Sequence, residues 1–411
     1  MATLETTSAE TKERVERIGE ADLVVALPSC HNRELLEAAV SSLRAVVPEL
    51  SSNGKVVILY PESANVDMPG DDESSLLLLP CALSPVERYH EPSLAQGLRS
   101  LLTVGRALRA RACVMLGSEA AVSIPDGLRL LAEPVLKHGY DLAVPLYARR
   151  KLDSLINSGI AYPLTRALYG ARLCYPMAAD LALSQRLADQ YLRPSALAGQ
   201  PQSGWATTKA VCAGLQVCQV HRDFAPVPIV SEQTDLSSSL AQVLSTLFMD
   251  VEQNAGFWQR TRGSQPVRTF GQPRQVDFEN PAMDVHKMVE TFQRGCRDLL
   301  DVWAVTLSPA TLIDLKKAAK LPVDRFRLMD DLWVHVLFDF ILGHRQRVIS
   351  REHLLRSMTP IYLGWVASYA LEVQNLGQGA VEDRLEKLCL SFETLKPYLL
   401  SRWRWPDRFN P

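Results

Sequence analysis

Residues 112–148, ACVMLGSEAAVSIPDGLRLLAEPVLKHGYDLAVPLYA, decide the fold class of this chain. The stretch begins with a short apolar run, ACVMLGS, which predicts a buried strand. PDGLRLLAEPVLKHG then predicts a helix, and YDLAVPLYA predicts a second strand. A strand, a helix and another strand in this order indicate a βαβ unit, which joins parallel strands of one sheet.

The same alternation extends toward the N-terminus. Further strands are predicted at 22–29 (DLVVALPS), 55–62 (KVVILYPE) and 76–83 (LLLLPCAL), with helices at 32–50 and 93–110 between them. The sequence therefore predicts an α/β fold with a mainly parallel sheet flanked by helices. In such sheets ligands bind beyond the carboxyl ends of the strands, so the residues that follow each strand are the candidates for a site.

The remaining sequence is mostly helical in pattern. Two helices are predicted within 151–200, over 154–170 and 178–192, and residues 260–281, rich in Pro, Gln and Gly, are predicted to be an ordered linker or loop. From about 281 onward helical periodicity dominates, and Ser308 before Pro309 is a good helix start. We predict a flexible segment over 1–20, an α/β domain over 21–270 and an all-helical C-terminal domain over 271–411.

Composition excludes several classes of protein. The 411 residues are 47% hydrophobic and 22% charged with a net charge of −2, which offers no basic field for nucleic acid. No apolar run is long enough to span a membrane, and the N-terminus has no signal-peptide pattern, so a cytoplasmic protein is expected. Because no C-x-x-C pair occurs among the eight cysteines, buried reduced thiols are predicted.

Several familiar catalytic motifs are missing from the sequence. It contains no G-x-x-x-x-G-K-[ST], no G-x-G-x-x-G after the first strand, no G-x-S-x-G and no H-E-x-x-H. The first strand ends instead in Pro-Ser-Cys-His-Asn. These absences disfavour a P-loop enzyme and a dinucleotide-binding fold of the usual kind. A nucleotidyltransferase acting on sugar phosphates shares the broad architecture but lacks support, because no glycine-rich phosphate loop follows the first strand.

Four stretches, taken in order, carry a resemblance to a known family. They are ADLVVALPSCHN at 21–32, the block 140–184 that begins YDLAVPLYARRKLDS, MTPIYLGWVASYALE at 358–372 and FETLKPYLLSRW at 392–403. Their order and spacing resemble those of the retaining glycosyltransferases that make glucosylglycerate and mannosylglycerate. The resemblance implies a GT-A-like nucleotide-sugar domain followed by a helical C-terminal domain.

The resemblance also implies a reaction and its partners. A hexose would move from a GDP- or UDP-linked donor to a small carboxylated acceptor such as glycerate. Pro28 and Ser29 correspond to the loop that contacts the nucleotide, and Glu62 lies near the family's nucleoside-binding acid. Asp180 is retained on the acceptor side, and Arg149 would hold the acceptor's carboxylate. Arg150 would contact the donor's diphosphate.

The metal motif of the family is altered in this chain. The resemblance implies Asp-x-Asp at 117–119, and an acid near 203 and a later histidine as further ligands for magnesium or manganese. Here the motif reads Gly117, Ser118 and Glu119, and position 203 is Ser203. A glycine pair of the family is replaced by alanines at 178–179.

Two arrangements would let transfer proceed despite these changes. Glu119 with His221 or Asp223 would form a rebuilt metal site, since hard cations prefer oxygen ligands. Alternatively, the cations at 149–151 (Arg-Arg-Lys) would stabilise the leaving group without a metal. A different class of function also remains open, in which the chain is a catalytically impaired relative that binds a nucleotide, a sugar or a protein partner.

The candidate residues also have simpler interpretations. Glu62 and Glu119 would be solvated loop acids, and His221 a surface histidine. Asp180 would cap the helix predicted after it, and the cations at 149–151 would form an exposed basic turn. Aromatic side chains at helical spacing in the C-terminal part are predicted to be core; they are Trp333, Phe338, Phe340, Trp365 and Tyr369. Trp403 and Trp405 would cover the first domain or contribute to a homodimer contact.

Overall fold

The computed structural model describes residues 9–50, 54–64, 76–83, 91–117, 125–193, 205–222, 235–273 and 283–405. The chain divides into two compact units. The sheet unit comprises 1–148, 173–224 and 266–276, and the helical unit comprises 149–172, 225–265 and 277–411. Within the described ranges, no helix is both long and apolar enough to cross a membrane.

A mainly parallel sheet is the centre of the sheet unit. Its strands in the described residues are β1 (Leu23–Ala26), β2 (Val56–Pro61), β3 (Leu76–Cys81), β4 (Ala112–Met115), β5 (Leu142–Tyr147), β7 (Leu181–Ser184), β8 (Val217–Arg222) and β10 (Arg268–Phe270), while β6 (Ala171–Arg172) and β9 (Gln265–Pro266) form a separate pair. The order across the sheet is β10-β8-β5-β7-β4-β1-β2-β3, and β7 runs antiparallel to its neighbours β4 and β5. The other pairs in this sheet are parallel.

Helices surround the sheet and make up most of the helical unit. In the sheet unit they are Ala9–Ile18, Arg33–Arg44, Val47–Leu50, the 3-10 turn Glu62–Ala64, Glu91–Ala107, Pro125–His138, Gln185–Tyr191 and Ala206–Cys212. In the helical unit they are the π-helix Asn157–Ala161, Tyr162–Tyr169, Leu236–Gln253, Ala255–Trp258, Val285–Asp298, Leu300–Ala304, Pro309–Ala318, the 3-10 turn Val323–Arg325, Asp330–Gln346, Arg351–Ser357, Thr359–Val373 and Gln378–Arg404.

The apolar runs explain why the central strands form where they do. All four residues of β1 and of β4 are buried, so both faces of the sheet are covered there. A strand covered on both faces has no solvent-exposed side, so polar residues do not alternate with apolar ones along it. These segments are therefore continuous apolar runs in the sequence. The predicted α/β fold class, a mainly parallel sheet flanked by helices and followed by a helical C-terminal region, is confirmed.

Two segments differ from the sequence prediction. Within 178–192 the chain first forms β7, and the helix starts only at Gln185, with Ser184 accepting a hydrogen bond from the Leu187 amide as its N-cap. The interpretation of Asp180 as a helix cap is therefore wrong. The stretch 260–281, predicted to be a linker or loop, contains β10, which pairs in parallel with β8. Both strands are too short for a recognisable period, and pairing with neighbours distant in sequence creates them.

Aromatic side chains form the centre of the helical unit. The five aromatic residues predicted to be core are each at most 1% exposed. Ser308 caps the helix that begins at Pro309, as its sequence predicts, by accepting a hydrogen bond from the Thr311 amide at 3.2 Å. The eight cysteines are free thiols, and six of them are buried.

Candidate functional site

The strand order places a topological switch point at the carboxyl ends of β1 and β4. From β1 the chain proceeds to β2 and β3 on one side, and it then crosses over to β4 on the other side of β1. Ligands bind to open α/β sheets at such a switch point, because the loops from the two strands diverge there. Pro28 and Ser29 follow β1, and the Ser29 hydroxyl donates to the carbonyl of Gly117, directly beyond β4, at 2.5 Å.

Asp180 ties the ends of two strands together. Its side chain is fully buried just before β7. The amide of Gly117 donates to its Oδ1 atom at 2.8 Å, and the hydroxyl of Tyr147, at the end of β5, donates to its Oδ2 atom at 2.6 Å. Both carboxylate oxygens thus accept hydrogen bonds, which offset part of the cost of burying the carboxylate.

Tyr147 remains a hydrogen-bond donor over a wide pH range. Burial raises its pKa well above the ordinary value, and the neighbouring Asp180 carboxylate raises it further, while the Arg222 guanidinium opposes the rise. The ring also packs edge-on against Tyr175, with 4.9 Å between centroids. Because a neutral phenol donates a hydrogen bond, the contact between Tyr147 and Asp180 persists at physiological pH.

Arg222 is a buried cation at the same edge that sequence reasoning did not single out. It lies at the end of β8 directly opposite Tyr147 in the parallel register, and it is 3% exposed. Its guanidinium packs so closely against Gly127 that a Cβ there would lie 2.5 Å from both terminal nitrogens. Gly127 is in the first turn of the helix Pro125–His138, whose N-terminus adds partial positive charge beside the guanidinium.

His221, proposed as a metal ligand, points to the other face of the sheet. It pairs with Leu146, whereas Arg222 pairs with Tyr147, and successive residues of a strand face opposite sides. Burial lowers the pKa of His221. Successive side chains of a strand face opposite sides of the sheet. This alternation was the signal in the sequence that places His221 and Arg222 on opposite faces.

We call Ser29, Gly117, Tyr147, Asp180 and Arg222 the edge cluster. It joins the ends of β1, β4, β5, β7 and β8 through the contacts given above. The cluster contains one buried carboxylate and one buried guanidinium. Such a combination at a switch point suits an anionic ligand whose charge changes during a reaction.

Gly117 has no space for a side chain. A Cβ added there would lie 2.6 Å from the Cβ of Ala179 and 2.9 Å from its carbonyl oxygen, and real Cβ atoms essentially never approach other atoms so closely. The family resemblance places an aspartate at 117 and a glycine at 179. In this chain the Ala179 methyl occupies the space that a side chain at position 117 would need.

The described residues do not fit a divalent metal at this edge. Gly117 cannot carry a ligand, and both oxygens of Asp180 already accept hydrogen bonds. Glu119, Ser203 and Asp223 lie outside the described residues. Within the ranges that the structure describes, no three or more His, Cys, Asp or Glu side chains are grouped to hold a metal ion. We therefore assign no chemical step to a metal.

The other predicted site residues are distributed between the two units. Glu62 is exposed in the sheet unit at the start of a 3-10 turn after β2, close enough to Cys81 to help raise the pKa of that thiol, although burial is the larger cause. Arg149 and Arg150 belong to the helical unit. The Arg150 amide donates to the Asp153 carboxylate at 3.2 Å. Thus only Pro28, Ser29 and Asp180 are brought together at the described edge.

Comparison with known proteins finds similarity only among solved structures. No family model matches the chain, and no curated protein matches it. A crystal structure of glucosyl-3-phosphoglycerate synthase from Mycobacterium tuberculosis matches with 15% identity and a TM-score of 0.33, covering 59% of this chain and 83% of that chain. A second structure of that enzyme, in complex with Mn²⁺, UDP-glucose and phosphoglyceric acid, matches with 16% identity and a TM-score of 0.32, covering 59% and 82%.

Proposed function

We propose that the chain is a glycosyltransferase that moves a hexose from a nucleotide sugar to a small carboxylated acceptor. The observation that carries the proposal is the edge cluster at the switch point between β1 and β4, where a buried guanidinium and a helix N-terminus lie together. Nucleotides bind at such points of α/β sheets, and helix N-termini favour phosphate groups.

The cluster suggests a role for each of its charged groups. A departing nucleoside diphosphate gains negative charge, and a preorganised cation lowers the energy of that state. Arg222 would supply the cation, with the first turn of the helix Pro125–His138 beside it. Asp180 and Tyr147 would position the loops around the sugar, because their hydrogen bonds join the ends of β4 and β5.

The finer assignments come from the sequence resemblance and are part of the proposal. The nucleotide would contact Pro28, Ser29 and Glu62, the donor would carry GDP or UDP, and the acceptor would be a compound such as glycerate held by Arg149. The domain boundaries at 21–270 and 271–411, a homodimer and a cytoplasmic location stay predictions.

Calorimetric titration with UDP, GDP and ADP, each with and without Mn²⁺ or Mg²⁺, tests the proposal. We expect one nucleotide to bind, and Arg222→Gln to weaken its binding about tenfold, the loss of one charge-assisted contact. Arg325→Gln is the matched control, because Arg325 is 81% exposed on the helical unit. The absence of binding by every nucleotide would overturn the proposal.

The titrations with and without metal distinguish the two alternatives that the sequence left open, a rebuilt metal site and stabilisation of the leaving group by cationic side chains. Binding that requires metal would assign a ligand role to Glu119, and metal-independent binding would assign the diphosphate to Arg222. Transfer is then measured by mass spectrometry of glycerate incubated with UDP-glucose or GDP-mannose.

A second candidate function is a non-catalytic nucleotide- or sugar-binding module. The packing of Gly117 against Ala179 favours it, because it closes the position where the family carries a metal-binding carboxylate. Nucleotide binding without transfer to any carboxylated acceptor would support this candidate over the enzyme.

A further inference from the structure

The position of the Arg222 guanidinium depends on a glycine in a neighbouring helix. Gly127 is buried in the first turn of the helix Pro125–His138, and an added Cβ there would lie 2.5 Å from both terminal nitrogens of Arg222 and 2.8 Å from its Cζ atom. Real Cβ atoms essentially never show separations under 3.0 Å, so a side chain at 127 and the guanidinium could not both occupy these positions. The guanidinium therefore fits where it does because residue 127 has no side chain.

The sheet register places Arg222 beside Tyr147. The two residues are paired at the ends of the parallel strands β8 and β5. Neighbouring strands lie about 4.8 Å apart, and paired residues of parallel strands point to the same face of the sheet. Burial is the main cause that raises the pKa of Tyr147, and the Arg222 guanidinium opposes that rise. Arg222 thus lies within electrostatic reach of the hydroxyl that donates to Asp180.

Two positive features lie together where Arg222 meets the helix. The N-terminus of a helix carries partial positive charge, so a cation is more favourably placed at the opposite end. The acid in this first turn, Asp126, is exposed and pairs with Arg129 at 3.1 Å. A buried guanidinium and a helix N-terminus both attract negative charge. The placement of Arg222 therefore favours an anionic ligand at this edge of the sheet.

The edge cluster is poorly suited to a divalent cation. Gly117 has no space for a side chain, because an added Cβ would lie 2.6 Å from the Cβ of Ala179. The Asp180 carboxylate accepts from the Gly117 amide and the Tyr147 hydroxyl, so binding a metal would disturb these hydrogen bonds. The buried positive charge of Arg222 would also repel a cation nearby. The cluster thus combines a site for negative charge with an unfavourable environment for a metal.

We infer that the edge cluster binds a diphosphate group without a divalent cation, and that Gly127 is the positioning residue that allows Arg222 to take the place of the metal. A guanidinium presents parallel N–H donors that match two phosphate oxygens, and these charge-assisted hydrogen bonds are strong. A cation that the fold has already positioned needs no rearrangement when negative charge develops on the ligand. Arg222 then supplies the positive charge that a metal ion supplies in metal-dependent reactions.

The inference deepens the proposed function and rests on it for one point only, namely that the diphosphate belongs to a nucleotide sugar. Inorganic pyrophosphate is therefore the probe, because it carries the diphosphate without a nucleoside or a sugar. Calorimetric titration of the full-length protein compares binding in EDTA with binding in excess Mg²⁺.

The wild-type protein should bind pyrophosphate in EDTA. Arg222→Gln should weaken this binding about tenfold, because it removes the charge-assisted contact. The exposed control Arg325→Gln should bind as the wild type does. Wild-type protein that binds pyrophosphate only with Mg²⁺, or under neither condition, would overturn the inference, as would Arg222→Gln protein that binds as tightly as the wild type.

Gly127→Ala tests the positioning of the cation separately from its charge. The variant keeps Arg222 and should weaken pyrophosphate binding about tenfold, because the added methyl group displaces the guanidinium. Gly379→Ala is the matched control: Gly379 also lies in the first turn of a helix, but an added Cβ there would meet no other residue within 4 Å. Equal affinities of Gly127→Ala and the control would overturn the positioning role.

A double-mutant cycle separates positioning from a general disturbance of the fold. Arg222→Lys replaces the planar guanidinium by a compact ammonium on a flexible stem, which can move aside from an alanine. Gly127→Ala should therefore weaken pyrophosphate binding much less in Arg222→Lys protein than in the wild type. An equal loss in both backgrounds would mean that Gly127 has only a structural role. Should Gly127→Ala fail to fold, Arg222→Gln still tests the metal-free binding, since it leaves Gly127 in place.

Titration of the same preparation with UDP, GDP and ADP keeps the two proposals distinguishable. Pyrophosphate binding in EDTA without binding of any nucleotide would support the inference and overturn the proposed function. Nucleotide binding that requires Mn²⁺ or Mg²⁺, without pyrophosphate binding in EDTA, would support the proposed function and overturn the inference.

Discussion

Two fully buried charges are stabilised in opposite ways in the two units. Arg166, in the helical unit, donates twice to Glu386 at 2.6 and 2.7 Å and once to Glu393 at 2.8 Å. Asp180, in the sheet unit, accepts instead from a backbone amide and a tyrosine hydroxyl. Both side chains are 0% exposed.

The difference separates a structural charge from a candidate functional one. Arg166 is paired with two carboxylates, so its positive charge is compensated within the fold. Asp180 accepts hydrogen bonds from the Gly117 amide and the Tyr147 hydroxyl at the ends of two strands. Closed ion pairs mainly join elements of structure, whereas a buried carboxylate at the switch point of a sheet is a candidate for contact with a ligand.

The largest effect is expected from removing the cation of the helical unit. Arg166→Ala should lower the free energy of unfolding by about 3 kcal/mol, because it leaves two partly buried carboxylates without their cation. Urea denaturation followed by circular dichroism measures this change. The exposed control Arg325→Ala should change it by less than about 0.5 kcal/mol. A loss from Arg166→Ala as small as that of the control would show that the network is not structural.

A somewhat smaller effect is expected at the end of β4. Gly117→Ala should cost about 2 kcal/mol, because its Cβ would overlap the Ala179 methyl and carbonyl. Adding Ala179→Gly should recover much of this loss, since the two positions compete for one space. A double-mutant cycle on unfolding free energies measures the coupling. Purely additive effects would contradict the steric competition between positions 117 and 179.

The hydrogen bonds of Asp180 should contribute less than either change. Tyr147→Phe removes the hydroxyl donor to Oδ2 and should cost about 1 kcal/mol. Asp180→Asn should cost a similar amount, because its amide nitrogen cannot accept the tyrosine proton. Combining them should add little beyond either single change, and a double-mutant cycle tests this. Full additivity would mean that the two groups act independently.

The smallest effect is a pH dependence that belongs to the helical unit. The Arg166 guanidinium holds the pKa of Glu386 below its ordinary value of 4.5. A carboxyl with a lowered pKa stabilises the fold above its unfolded pKa, and the contribution is lost as pH falls through the folded value. The stability difference between wild type and Glu386→Gln should therefore be constant above about pH 5 and shrink below about pH 4. A difference that grows as the pH falls below 5 would contradict the ion pair.

Local pattern predicted the elements whose burial is complete. The continuous apolar runs of β1 and β4 indicate strands covered on both faces, and the spacing of Trp333, Trp365 and Tyr369 indicates helical core. These predictions are confirmed because covering both faces of a strand, or one face of a helix, imposes a pattern that neighbours in sequence display.

The edge of the sheet was only half predictable. Ser29 follows the apolar run of β1, so its position near a strand end was visible in the sequence, whereas Asp180 was predicted to cap a helix. Arg222 was missed because a buried arginine has no local pattern of its own. The antiparallel β7 was missed because four residues are too few for a period, and its partners β4 and β5 lie far away in the chain.

By itself, then, the sequence determined an α/β sheet followed by helices and the aromatic core. Only the tertiary structure decided that Ala179 fills the space beside Gly117 and that Asp180 joins Gly117 to Tyr147. The physical reason is the range of the interactions. A pattern of burial is visible in residues that are adjacent in the sequence. Steric exclusion and the pairing of buried polar groups depend instead on residues distant in the sequence, which only folding brings together.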